Sequence, residues 1–260
     1  MDIAIVGAGN VAWHLAQALH AAGHAIAAIY SRTATTREEL AKLTPPAVPV
    51  ASLNFLSVKA DAVLIAVPDA ALAAVARELQ VTPGTVVAHT SGSQPLAALA
   101  AVANARTGVF YPLQTFSKAK PVNFSQVPIL LEAQDEATLQ LLEKLAQSIS
   151  PDVQQVNSQA RKQLHLAAVF ACNFTNHLLG ISQQLLQEAS LKPALLQPLI
   201  QETISKAMQQ HPFSVQTGPA IRRDENVIQE HLHMLEPHPH LQELYRLLTQ
   251  SIQKDQQSAN

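Results

Sequence analysis

Gly7, Gly9 and Ala12 are spaced G-x-G-x-x-A. They follow the apolar run Asp2-Ile3-Ala4-Ile5-Val6 at once and open the helical-looking stretch Trp13–Leu19. A strand, a glycine turn and a helix in that order suit phosphate binding: the first glycine permits a sharp turn, and the second lets a pyrophosphate approach bare backbone. Ala12 is small enough for close helix–strand contact, and the amides of Ala8, Gly9, Asn10 and Val11 lie where a helix start faces an anion. The expected ligand is a dinucleotide.

The end of the next strand indicates which dinucleotide. His24–Tyr30 reads as a buried strand after a helix stop at Gly23. A site for NAD usually carries Asp or Glu there, about 20 residues beyond the glycines, to bind ribose hydroxyls. Here Ser31-Arg32-Thr33 follows Tyr30. A guanidinium flanked by two hydroxyls binds a 2′-phosphate that an acid would repel. The sequence therefore predicts NADP(H); as a plainer alternative, Arg32 is a solvated loop residue.

In open α/β sheets the ligand lies beyond the carboxyl ends of the strands. Three strand exits then qualify: Val67-Pro68-Asp69, His89-Thr90-Ser91-Gly92-Ser93 and Tyr111-Pro112-Leu113-Gln114. Val67 and Pro68 can wall a cofactor, and Asp69 can touch it or cap the next helix. His89 can move a proton near neutral pH, or it can sit hydrogen-bonded at the end of a buried strand. Ser91 and Gln114 can bind substrate; Ser91 and Ser93 can equally cap the segment that starts at Pro95.

Further along, at 3.6 residues per turn, His165, Cys172 and Asn176 share one helix face, and Asn173 and His177 form a strip beside it. Asn173, His165 and His177 are candidate catalytic or substrate-contacting groups; buried polar contacts within or between chains are the plainer alternative. Cys172 reads as a small buried hydrophobe. Thr217-Gly218-Pro219 enters a helix that bears Arg222 and Arg223, where Thr217 and Arg222 could hold a substrate anion. His231, His233, His238 and His240 lack acid or cysteine partners at ligand spacing, so no metal is expected.

The elements that must position these groups change character near Asn157. Before it, strand and helix signals alternate, as a doubly wound sheet requires. Thr35-x-x-Glu38 offers a capping box, Asp61–Val67 and Gly84–His89 read as strands, and an amphipathic helix spans about Glu136–Gln147. Leu96–Val102 reads as packed helix. From Ser158 the pattern is helical: one long helix to about Ala189, then helices near Pro193–Gln210, Asp224–Leu235 and His240–Lys254. The expected class is α/β, with a doubly wound, mainly parallel Rossmann sheet over 1–156 followed by an all-α domain over 157–260.

Composition limits the alternatives. The net charge is −2 and charged residues make up 14% of the 260, which argues against a nucleic-acid surface. One cysteine fits a reducing compartment. The first residues enter a strand with no basic leader, and no unbroken apolar run reaches about 18 residues, so a cytoplasmic chain without a membrane span is expected. Leu178, Leu179, Leu185, Leu186, Leu195, Leu196 and Leu199 exceed what four helices bury alone, predicting a homodimer through the C-terminal helices.

Five motifs occur in order: Ala66-Val67-Pro68-Asp69, His89–Ser93, Phe110–Ser117, His165–Phe174 and Thr217–Asp224. Together with the glycine turn the chain resembles the Rossmann-like oxidoreductases whose helical C-terminal domain is of unknown function. It is more distantly similar to pyrroline-5-carboxylate reductase, prephenate dehydrogenase and 6-phosphogluconate dehydrogenase. The resemblance implies the fold, NADP(H) and a helical half that completes the substrate pocket in the interdomain cleft and often dimerises; it does not imply a substrate. Relatives place an amide or lysine from the long helix over the nicotinamide, which points to Asn173 and then His165. Many have His-Pro where this chain has Tyr111-Pro112, and a phenol is a poor base at neutral pH. Tyr111 then orients substrate, or His89 or His165 supplies the proton. The leading expectation is hydride transfer to or from a small carbonyl, imine or alcohol; the alternatives are a non-catalytic NADP(H) sensor or interaction protein, and a structural helical dimer.

Overall fold

The computed structural model describes residues 1–258 and divides into two compact units, Met1–His177 and the chain from Leu178 onward. The first unit is built on β1 (Asp2–Val6), β2 (Ala25–Tyr30), β3 (Val48–Val50), β4 (Ala62–Ile65), β5 (Val86–His89), β6 (Arg106–Pro112), β7 (Ile129–Ala133) and β8 (Val153–Gln155). They form one sheet in the order β3-β2-β1-β4-β5-β6-β7-β8. The order reverses at β1, which lies between β2 and β4, so the crevice of a doubly wound sheet opens at the end of β1. Helices α1 (Asn10–Ala21), α2 (Ala34–Leu43), α3 (Asp69–Glu78) and α4 (Glu136–Gln147) cover it.

Alternation along β1 explains the two layers. Ile3 and Ile5 pack toward Leu15, Leu19 and Leu142, while Ala4 and Val6 pack toward Leu72, Val75 and Leu99. All pairings are parallel except β6 with β7. The β6–β7 connection contains only the single turn Phe124–Gln126, too little helix for a crossover, so the chain returns antiparallel.

Several local expectations change. The α2 N-cap is Thr33, with no side-chain cap bond, so the Thr35–Glu38 capping box does not form: Thr35 is already inside the helix. Leu96–Val102 yields only the one-turn helix Leu96–Leu99. The short strand β3, interrupted by Pro49, carries too little apolar pattern to be read from sequence.

Helix α5 (Ser158–Glu188) starts in the first unit under an Asn157 cap. Its turn widens over Val169–Phe174. A wide turn inserts one residue, so positions beyond it are rotated by about 100° relative to a regular helix. This corrects the expected faces: His165 aligns with Asn173, eight residues on, rather than with Cys172. His177, one turn after Asn173, continues that face. Cys172 is exposed rather than buried. Although no unbroken apolar run signalled it, α5 is long and apolar enough to cross a membrane by length and composition, and none of its apolar stretch is buried.

The second unit contains α6 (Gln197–Gln209), α7 (Glu225–Met234) and α8 (Pro239–Ser258). Its small core includes Ala220, Ile228, Leu232, Leu235 and Leu241. Asp224 caps α7 by accepting from the Val227 amide.

Candidate active site

The glycine turn is fixed by a close approach of backbones. Gly7 has φ +123°, and a Cβ there would stand 2.2 Å from the Ala66 carbonyl oxygen. Its amide donates to the Tyr30 carbonyl at 2.7 Å. Gly9 faces open space instead. Beside it lies a cavity of about 450 Å³ lined by Gly7, Ala8, Gly9, Ser31, Arg32 and Pro68, with Val67 and Thr36 also in its wall. These residues can hold a pyrophosphate over Gly9 and a phosphate beside Ser31 and the exposed Arg32. Thr33 stands at the N-cap position of α2 and does not line the cavity. Arg37, which no motif singles out, donates through Nη1 to the Ser31 carbonyl at 3.0 Å and so holds the loop that bears Arg32. The Asn10 side chain donates to the Phe116 carbonyl at 3.0 Å, tying the α1 start to the loop after β6; any part Asn10 plays toward a ligand falls to its backbone.

A second cluster gathers at the exits of β4, β5 and β6. The Ser93 hydroxyl donates to Asp69 Oδ2. Ser91 Oγ accepts from the amides of Ser93 and Gln94, at 3.1 and 3.0 Å. It therefore shapes its own loop. Burial pushes the Asp69 carboxyl up, but hydrogen bonds from Ser93, Ser91 and Gln94 outweigh it and hold the group ionised below the ordinary range. The Tyr111 hydroxyl lies 3.2 Å from His165 Nδ1, and both rings are half-buried. Gly92 is the floor of this pair: a Cβ there would stand 2.7 Å from both His165 Nδ1 and Tyr111 Cζ. Burial pushes the Tyr111 phenol up, against the opposing charge of Arg161.

His89 is not available for proton transfer, which corrects its expected catalytic role. It is fully buried, its Nδ1 accepts from the Ser91 amide at 3.1 Å, and its Nε2 donates to the Pro95 carbonyl at 3.3 Å. The neutral ring satisfies both contacts; a second proton would set Nδ1–H against an N–H. Gln114 also turns away from ligand duty, since its Oε1 accepts from Thr115 backbone and hydroxyl.

Asn173 and His177 are exposed on α5. Thr217 and Arg222 belong to the second unit, where Pro219–Arg222 is a single turn, too short to supply a helix-start anion site. There His231 pairs with the Tyr245 hydroxyl, His233 with Glu236 and His238 with Glu188.

Comparison with known proteins divides the chain earlier, between residues 114 and 127, inside the first unit. Residues 1–114 match the family described as a Rossmann-like domain, and residues 127–252 match the domain of unknown function DUF2520. A Bacteroides fragilis protein described as a candidate NADP oxidoreductase is 39% identical, with 97% of this chain and 98% of that one covered at a TM-score of 0.90. An imine reductase from Myxococcus stipitatus, solved with NADP+, is 16% identical over 99% and 95% of the two chains (TM-score 0.64). A prephenate dehydrogenase from A. aeolicus, solved with hydroxyphenyl propionate and NAD+, is 13% identical over 100% and 98% (TM-score 0.57). At such identities the last two show a shared fold. No curated protein sequence matches the chain.

The setting of His89 generates a pH dependence. Burial first, then the nearby Arg161 charge, lowers this imidazole to about 4, with the Pro95 carbonyl, Asp69 and Glu132 opposing. Unfolded chain takes up the proton below about pH 6.5, and folded chain refuses it until about pH 4. Stability from this source is therefore full above 6.5 and falls by on the order of 2–3 kcal/mol as pH drops to 4. Denaturant midpoints across that window should fall less steeply in His89→Gln than in wild type. Parallel curves would contradict the assignment.

Proposed function

The chain belongs to the family of Rossmann-fold oxidoreductases whose C-terminal part is the DUF2520 domain, and from that premise we propose that it is an NADP(H)-dependent oxidoreductase acting on a small carbonyl, imine or alcohol. One observation carries the reading: the bare backbone at Gly9 and the Ser31–Arg32 pair line the same cavity. Gly9 would hold the pyrophosphate of the dinucleotide, and Ser31 and Arg32, at the end of β2, would hold its 2′-phosphate. NADP(H) supplies or accepts the hydride, and the protein supplies orientation and a proton.

Tyr111 and His165 are the pair that moves the proton. The phenol O–H donates to His165 Nδ1, or toward a substrate oxygen or nitrogen in its place. Tyr111 is held protonated by burial, so it can donate its proton to a substrate atom, and the phenolate left behind would regain a proton from solvent. Asp69 and Ser93 extend the polar path at the same strand ends. Asn173 and His177 share the His165 face of α5 after the wide turn and are proposed to touch substrate; Ser91 and Gln114 are proposed only as backbone contributors.

The reading includes a cytoplasmic homodimer. Leu166, Phe170, Phe174, Leu178 and Leu185 are exposed along one side of α5, and Leu195, Leu199, Ile204 and Met208 are exposed in the following segment. A 31-residue helix is about 46 Å long, so a stripe of that length with its neighbours approaches the roughly 800 Å² per partner of a standard interface. A second copy is the favoured occupant over a bilayer, because Asn173, Asn176 and His177 sit in mid-helix, where hydrocarbon would leave them unpartnered. Light scattering at micromolar concentration should read a dimer; a monomer would remove this part.

Calorimetry should find NADPH bound more tightly than NADH. Arg32→Ala should cost NADPH about 1.5–3 kcal/mol while leaving NADH unchanged. Equal wild-type affinities would sink the NADP(H) assignment. Screening NADPH oxidation against carbonyls and imines tests the catalysis itself. With any substrate found, Tyr111→Phe should slow turnover roughly tenfold to a hundredfold at unchanged NADPH affinity. Tight NADPH binding with no turnover across the screen would favour a sensor instead.

A further inference from the structure

The largest fully buried side chain among the described residues is an arginine. Arg161 lies in the first turn of α5 with its side chain 1% exposed. A guanidinium does not give up its charge, so the fold must surround it with partners. Nη1 donates to Glu132 Oε2 on β7 at 2.5 Å, and Nη2 donates to the Gln94 carbonyl at 2.6 Å. Ser158 closes the knot: its hydroxyl donates to Glu132 Oε2 at 2.7 Å and accepts from the Leu96 amide at 3.0 Å. Burial pushes Glu132 up, but its bonds from Arg161 and Ser158 hold it ionised. Of its three nitrogens, Nε has no partner among the described residues.

A buried ion pair is a poor source of stability, since a well-packed apolar pair does as well. What a planar fork adds is direction. Here the fork joins three elements: β7, the loop that leaves β5, and the start of α5. His165 lies four residues beyond Arg161, on the same helix face. Gly92, two residues before Gln94, is the surface against which His165 and Tyr111 meet. Arg161 thus fixes both the helix that carries His165 and the loop beneath it.

We propose that Arg161 is the positioning residue of the Tyr111–His165 pair, holding the Gln94 carbonyl and Glu132 so that the imidazole and the phenol stay in hydrogen-bond contact over Gly92. The catalytic consequence rests on the oxidoreductase reading above; the positioning itself does not. Long-range ¹H–¹⁵N spectra of the histidine rings, assigned with His89→Gln and His165→Gln, read it directly. In wild type, His165 Nδ1 should show the shift of a hydrogen-bonded acceptor, and His89 should show one neutral tautomer protonated at Nε2.

In Arg161→Met the His165 Nδ1 signal should move to that of an unbonded ring nitrogen. NADPH affinity should change less than about twofold, because the cavity at Gly9 is built by other residues, while turnover falls on the order of a hundredfold. Arg161→Lys keeps the charge and loses the fork; it should show the same displaced His165 signal while His89 stays neutral. If Arg161→Met does not fold, the lysine variant decides. A folded variant of either kind with the wild-type His165 signal overturns the proposal. Failure of wild type to bind NADPH would defeat the functional reading and leave the ring signals as an independent test of Arg161.

Discussion

The contact on which the structure depends is the approach of the Gly7 Cα to the Ala66 carbonyl. It occurs where β1 ends and the chain leaving β4 passes beside it, at the point where the strand order reverses. Any side chain at position 7 would occupy the carbonyl oxygen, and φ at +123° is open to glycine alone. Because the two backbones close there, α1 starts flush against the sheet with Ala12 buried, and the space over Gly9 stays open. The cavity lined by Gly9, Arg32 and Pro68 opens beside that junction.

A second constraint operates one strand further out. The β5 exit carries two groups that must be buried beneath it, His89 and the Arg161 fork, and each binds backbone of the same loop. The imidazole holds Ser91 and Pro95, and the guanidinium holds Gln94. Between them Gly92 is presented to Tyr111 and His165. Polar groups that look chemical in sequence therefore divide: those inside the sheet layer shape the loop, and those at its surface face whatever binds there.

Much of the fold was legible in the sequence because it is written in local patterns. The apolar runs of β1, β2 and β4 and the G-x-G-x-x-A turn need no tertiary knowledge, and α4 begins and ends where its periodicity does. What could not be read depends on through-space partners or on broken periodicity. The wide turn at Val169–Phe174 has no signature in residue types, yet it decides that His165 aligns with Asn173 and not with Cys172. His89 looked like an acid–base candidate because its partners are backbone groups, invisible to a residue-type argument. Arg161 had one available signal: a lone acid, Glu132, in an otherwise apolar strand requires a cation from elsewhere. Tyr111 and His165 lie 54 residues apart, and only the structure joins them.

The most direct test of the account is diffraction from crystals of the protein soaked with NADP+. The account predicts the pyrophosphate over Gly9, the 2′-phosphate against Ser31 and Arg32, and the nicotinamide next to the Tyr111–His165 pair. A dinucleotide bound elsewhere, or bound at Gly9 with its nicotinamide directed away from Tyr111, would contradict it.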